Sequence, residues 1–211
     1  MNIVFINPIT DFELLVAKLK DSILVLPKNS GLYQYRLLFE ELSNESITVR
    51  AEDVPQIVEK LAKKGKKCFG VTGEDLFNEY LFERGDSCVK QVAKIPWCGG
   101  KTLFGKPTLC LLGPRKRELI MLDKSCTLIV AVNNKYKLLS ENYLKKLENK
   151  GYKFEKFYLS GCTENTYKSG EADLVIDIVV SGESASSVGL KVYETIFGSD
   201  IAIIGDKNAK F

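Results

Sequence analysis

The feature that most constrains this chain is the run Leu174 to Val180, LVIDIVV, where apolar and mostly β-branched residues continue without alternation around one carboxylate, Asp177. A run of this length and composition reads as a fully buried strand. An ionised carboxylate inside it needs a partner, so Asp177 is either satisfied by the protein or faces a ligand. The strand leads straight into Ser181, Gly182, Glu183 and Ser184. Their N–H groups and two hydroxyls suit a phosphate at the mouth of a sheet, where open α/β folds place ligands. The same residues also suit a plain turn that caps a short helix.

Elsewhere apolar periodicity alternates between strand and helix. Strands are expected at 3–6, 22–26, 47–50 and 67–71, and helices at 11–20, 32–42, 53–63 and 73–82. A second segment follows with strands at 108–113 and 127–132, a helix at 140–150, a strand at 153–159, a turn around Gly161, and strands near 191–196 and 201–204. The pattern is α/β with two sheet systems. The Gly-rich stretch 95–105, IPWCGGKTLFG, is the best crossover or hinge, and an ordinary surface loop is the competing reading. The expected division is 1–102 with 188–211 in one lobe and 103–187 in the other, with a ligand cleft between lobes.

Composition narrows the chemistry. A chain of 211 residues buries about 70% of its unfolded surface and needs no staple. There is no histidine, which excludes Ser-His and Cys-His nucleophile systems and the usual zinc ligand sets. The six cysteines are scattered without a CxxC pair, which favours a reducing compartment. The N-terminus, MNIVFINPIT, has no basic leader and its apolar run is broken by Asn7 and Pro8, so a soluble cytoplasmic protein without membrane association is expected. The net charge of +3 comes mostly from lysines on helical stretches, which read as solvated faces and not as a nucleic-acid surface.

Four separated stretches then align, in order, with one family. VLPKNSGL at 25–32 is similar to an opening LPKGRL, VRAEDVPQIV at 49–58 to VRPxDVPxYV, FGVTGEDLF at 69–77 to LGIVGKDVL, and ADLVIDIVVSGESASSVGL at 172–190 to ADAIVDLVxTGxTLxxNGL. The chain resembles the short form of ATP phosphoribosyltransferase, the enzyme that opens histidine biosynthesis. The resemblance implies a two-lobed α/β fold like the type II periplasmic binding proteins. It implies transfer of the phosphoribosyl group of phosphoribosyl pyrophosphate to the adenine ring of ATP, with Mg2+ and release of pyrophosphate. It also implies a homodimer and a regulatory subunit resembling histidyl-tRNA synthetase. Departures from the family pattern are Asn29-Ser30-Gly31 in place of Gly-Arg, serines for both loop threonines, and Glu183 in the loop.

On that resemblance, Ser181, Gly182, Glu183 and Ser184 hold the 5-phosphate of the ribosyl donor. Asp173 and Asp177, four apart and so on one strand face, accept bonds from ribose hydroxyls or help hold magnesium, with Glu164 as a third acid. Lys28, Arg50, Asp53, Gly73 and Asp75 are assigned to the nucleotide. Bland readings stand beside these: a cap or turn for Asp173, a surface cation for Lys28, an N-cap for Asp53, and a tight turn at Gly73 and Asp75. The rival functions are a two-lobed anion- or nucleotide-binding protein without chemistry and a decayed relative.

Overall fold

Both expected sheet systems are present, one in each of two compact units: residues 1–99 with 200–211, and residues 100–199. The computed structural model describes residues 4–5, 12–28 and 32–207. The readings placed on residues 6–11 and on Asn29, Ser30 and Gly31 lie outside them.

The first unit contains β1 (Val4–Phe5), α1 (Phe12–Lys20), β2 (Ile23–Pro27), α2 (Tyr33–Glu40), β3 (Glu45–Val49), α3 (Val54–Lys63), β4 (Cys68–Gly73), α4 (Glu74–Arg84) and β5 (Val89–Ile95). Its sheet runs β1-β5-β11-β4-β2-β3, where β11 is Ile201–Asp206. β2 pairs in parallel with β3 and β4, whereas β11 lies antiparallel between β4 and β5. The carboxy ends of β2, β3, β4 and β5 and the start of β11 therefore share one edge. Helix α3 carries Val54, Val58 and Ala62 on a single stripe, all buried against Val25, Cys68 and Ile204. A glycine makes this approach possible. A Cβ on Gly70 would sit 2.6 Å from the Val54 Cγ1 and 2.7 Å from the Val58 Cγ2.

The second unit contains β6 (Thr108–Pro114), β7 (Thr127–Asn133), α5 (Lys137–Glu148), β8 (Lys153–Leu159), α6 (Glu164–Lys168), β9 (Leu174–Val179), α7 (Glu183–Ser187) and β10 (Leu190–Gly198). The strand order is β10-β6-β9-β7-β8, with β7 parallel to β8 and β9, and β6 antiparallel to both β9 and β10. β9 is central, and its residues read as one uninterrupted apolar run because both faces of the strand are covered: the successive residues Leu174, Val175 and Ile176 are all buried. Gly113 in β6 lies beneath the Tyr193 ring of β10, which leaves no room for a Cβ.

Several expectations need correction. Residues 188–199 belong to the second unit, because β10 pairs along its length with β6; the chain returns to the first unit at Asp200, not near 188. β5 was not expected, since Lys90, Gln91 and Lys94 interrupt its apolar pattern while Val89, Val92, Ala93 and Ile95 are buried. The segment after Gly161 contains the short helix α6 as well as a turn. β3 ends at Val49, so Arg50 lies just past the strand.

Candidate functional site

At the carboxy edge of the second sheet, β7 ends at Asn133, α6 begins after Thr163, and β9 presents Asp177 opposite Cys110 of β6. Asp177 is half-buried. Its Oδ1 accepts the Asn133 Nδ2 at 3.0 Å and the Ile178 N–H at 2.7 Å, and its Oδ2 accepts the Thr163 hydroxyl. Of the two readings of this carboxylate, satisfaction by the protein is the one observed. A carboxylate has about four acceptor positions, so one direction on Oδ2 stays available. Burial pushes the Asp177 carboxyl above its usual range, Glu164 nearby pushes the same way, and the Thr163, Ile178 and Asn133 donors oppose both. Thr163 is wholly buried at the N-cap of α6, yet its hydroxyl serves Asp177 and not the helix. Asn133 and Thr163 escaped the sequence reading. The available signals were a polar residue ending an apolar strand and a threonine immediately before an acidic helix start.

The loop after β9 stands at the same edge. Gly182 has φ +79°, the left-handed region that glycine tolerates, and it is the N-cap of α7. The Val180 carbonyl accepts the Leu103 N–H at 2.7 Å, which ties the loop to the crossover segment. The Glu183 N–H points to the Ser181 hydroxyl at 3.4 Å, and the Ser186 N–H donates to the Gly182 carbonyl at 3.0 Å. These bonds make the turn that caps a short helix. The Ser184 and Glu183 side chains are exposed. Asp177, Glu164 and Ser181 to Ser184 are thus gathered at one edge.

Asp173 is not among them. It precedes β9 at the amino edge, a strand length of about 20 Å away for six residues, and there its Oδ2 accepts the Ile129 N–H at 2.8 Å while its own N–H donates to the Ile129 carbonyl at 2.9 Å. This is the capping role that stood beside its substrate role, joining β9 to β7.

In the first unit the nucleotide candidates all lie at the carboxy edge. Lys28 follows β2 with an exposed side chain, and its carbonyl accepts the Arg36 Nη1 at 2.9 Å. Arg50 is exposed and its only close carboxylate among the described residues is Glu52, at 3.7 Å. Asp53 occupies the N-cap of α3, but its side chain makes no capping bond; its carbonyl accepts the Ile57 N–H at 3.1 Å. Gly73 caps α4 with an extended backbone, φ −77°, and Asp75 is buried. The first N–H of α4, on Glu74, already donates to the Asp200 carbonyl at 2.9 Å.

A second group missed from sequence surrounds that junction. Lys94 of β5 bridges the Glu74 Oε2 at 2.8 Å and the Asp200 Oδ2 at 3.1 Å, Gln91 donates to the Glu74 Oε1 at 3.1 Å, and the Trp97 N–H donates to the Asp200 Oδ1 at 2.9 Å. These residues fasten the end of β5 and the start of β11, the strands by which the chain leaves and re-enters this unit. The glutamate stands where the family string LGIVGKDVL has lysine, and Lys94 neutralises it from β5, across β11 from the strand that leads into Glu74.

Among the described residues no helix is long and apolar enough to cross a membrane. A family model described as ATP phosphoribosyltransferase matches residues 50–211. The ATP phosphoribosyltransferase of Metallosphaera sedula is 31% identical over 162 residues, 77% of this chain and 50% of that protein. The one from Schizosaccharomyces pombe is 26% identical over 181 residues, 81% of this chain and 54% of that protein. The chain spans about half the length of the curated relatives it matches. Among solved structures, the ATP phosphoribosyl transferase (HisG:HisZ) complex from Thermotoga maritima matches with a TM-score of 0.63 at 17% identity, covering 88% of each chain. The alkanesulfonate-binding protein SsuA from Xanthomonas axonopodis pv. citri matches with a TM-score of 0.52 at 15% identity, covering 89% of this chain and 66% of that one. At these identities the likeness is one of fold, and it is the α/β, periplasmic-binding-protein-like fold expected from sequence.

Proposed function

Because the chain belongs to the ATP phosphoribosyltransferase family, we propose that it transfers the phosphoribosyl group of phosphoribosyl pyrophosphate to the adenine ring of ATP, releasing pyrophosphate, as the first step of histidine biosynthesis. The observation that carries the reading is the family match across residues 50–211, which span parts of both units. The gathering of Asp177 and Glu164 with the Ser/Gly loop at one sheet edge supports it.

In this proposal the incoming adenine nitrogen brings its own lone pair, so no enzyme nucleophile is required and the lack of histidine is no obstacle. The protein's contribution is position and charge. The Gly182 and Ser184 N–H groups and the Ser184 hydroxyl take the 5-phosphate. The Ser181 hydroxyl, while accepting from Glu183, keeps its own proton to donate. The remaining acceptor direction of Asp177 receives a ribose hydroxyl, and the Asp177 and Glu164 carboxylates face the positive charge that develops at the anomeric carbon. The exposed Glu183 carboxylate turns to solvent, away from the phosphate it would repel. Asp173 has no substrate role here. Lys28 and Arg50, both exposed at the edge of the first sheet, meet the triphosphate of ATP.

Among the described residues no group of three His, Cys, Asp or Glu side chains is placed to hold a metal ion. Magnesium in this proposal arrives on the pyrophosphate, whose oxygens supply most of its ligands. A cytoplasmic location, a homodimer and a histidyl-tRNA-synthetase-like regulatory partner complete the reading.

The test is an absorbance assay for phosphoribosyl-ATP with ATP, Mg2+ and phosphoribosyl pyrophosphate, run with and without a candidate regulatory subunit. Turnover is expected, and Ser181→Ala with Ser184→Ala raises the donor KM at least about tenfold through loss of two charge-assisted bonds. Binding of both substrates without product under either condition would favour the rival reading of a binding protein without chemistry.

A further inference from the structure

The second unit has a concavity at the amino edge of its sheet, the end of β9 opposite the Ser181 loop. Its volume is about 470 Å³, inside the range of roughly 300–1,000 Å³ usual for small-molecule sites. Its floor is apolar: Leu122, Leu128 and Ala172 are each less than a tenth exposed. Two cations, Arg117 and Lys168, line it.

The pairing of charges on this side of the unit is uneven. Lys191 is paired with Glu118, and Arg115 donates to the Ser186 hydroxyl. Among the described residues, the side chains of Arg117 and Lys168 make no hydrogen bond or ion pair. Asp173, also on the wall, has one oxygen committed to the Ile129 N–H. Two unpaired cations against one partly committed carboxylate leave the wall with an excess of positive charge beside an apolar floor.

The walls are held in place. Gly170, with φ +81°, ends α6 in a tight turn, its N–H donating to the Tyr167 carbonyl at 3.1 Å and the Ala172 N–H to the Thr166 carbonyl at 3.1 Å. On the other side the Arg117 N–H donates to the Pro114 carbonyl at 3.1 Å and the Leu122 N–H to the Leu119 carbonyl at 3.1 Å. A site already ordered loses less entropy on binding.

We propose that this cavity binds a small anion carried on an apolar body, a phosphomonoester or a carboxylate. Arg117 and Lys168 hold the anion, and Leu122, Leu128 and Ala172 receive the body. The inference does not depend on the transferase reading. Val188, also on the wall, follows α7, so a ligand here touches the far end of the segment that opens at Gly182.

The experiment is calorimetric titration of the full chain with phenyl phosphate, benzoate, inorganic phosphate and benzyl alcohol. At least one of the first two is expected to saturate, with inorganic phosphate and benzyl alcohol each at least about tenfold weaker, since each lacks one half of the recognition. Which of the first two binds more tightly identifies the anion class. Arg117→Ala and Lys168→Ala weaken that ligand at least about tenfold, and because both residues are exposed their melting temperatures stay close to that of the parent. Ser184→Ala is the control for the opposite edge: loss of the phenyl phosphate heat in that variant, with both cation variants unchanged, overturns the proposal. No saturation by either organic anion at about 10 mM, near the weak limit of useful affinity, overturns the proposal. So does equal binding of benzyl alcohol, or an affinity untouched by both cation variants.

Discussion

Asp177→Asn tests whether the site's central carboxylate is a stabilising or a costly group. In the variant the Asn133 and Ile178 donors keep an oxygen to bond, and the new amide can donate to the Thr163 hydroxyl, so all three contacts survive with changed character. Charge-assisted bonds contribute about 1.5–3 kcal/mol and neutral ones about 0.5–1.5, so three bonds lose together about 4 kcal/mol. Against this the variant is relieved of desolvating a charge, a penalty of several kcal/mol. The raised carboxyl of Asp177, with burial as its largest cause and the nearby Glu164 pushing the same way, says that these two together outweigh the bonds, and the variant is relieved of both. The expected result at pH 7 is stability between that of the parent and about 2 kcal/mol above it.

The pH dependence has a definite sign. A folded-state pKa raised above the reference 3.8 means that the folded chain holds this proton longer. Its contribution is fully present below 3.8 and is lost as pH rises through the folded value. Urea denaturation between pH 4 and 7 should therefore show the variant gaining on the parent as pH rises. Thr163→Val should cost about 1.5–3 kcal/mol in the parent but only about 0.5–1.5 in the asparagine background, a coupling of about 1 kcal/mol. A loss above about 2 kcal/mol for Asp177→Asn at pH 7 would show that the ionised carboxylate stabilises the fold, and the reasoning would fail.

Gly70→Ala should destabilise by about 1–3 kcal/mol in chemical denaturation, because the new methyl meets two branched side chains of α3; an unchanged midpoint would mean that α3 shifts freely. Glu59 is buried and accepts the Tyr80 hydroxyl at 2.6 Å, with Lys63 at 3.2 Å and Arg84 at 3.7 Å. The Tyr80 bond holds its carboxyl below the usual range, against burial and with help from Lys63 and Arg84. That stability is present above the unfolded value and is lost as pH falls through the lower folded one. Glu59→Gln should cost about 1–3 kcal/mol at pH 7, with the difference from the parent shrinking below pH 4.5; a constant difference from pH 3 to 7 would contradict this.

Much of the candidate site was legible because its signals are local. A strand covered on both faces is apolar throughout, so LVIDIVV announced β9, and the carboxylate within it announced a group needing partners. The glycine in the following turn is required by a positive φ, again a local demand. The partners of Asp177 were not legible, since Asn133 and Thr163 reach it across strand pairing and a helix start, at separations of 44 and 14 residues. Asp173 shows the limit of spacing arguments. Four residues along a strand put two side chains on one face, but whether both belong to one site depends on which edge each occupies. Here one capped the amino edge and the other served the carboxy edge.

Sequence by itself determined the α/β rhythm, the central strand with its loop, the exclusion of histidine chemistry and the family. Only the tertiary structure decided where the chain returns to its first unit, the existence of β5, the Glu74–Lys94–Asp200 fastening and the position of Asp173. The physical reason is range. Periodicity and turn chemistry act within a few residues and can be read along the chain. Pairings such as β10 with β6 or β5 with β11, and ion pairs between their neighbours, are stabilised only once segments about a hundred residues apart have met.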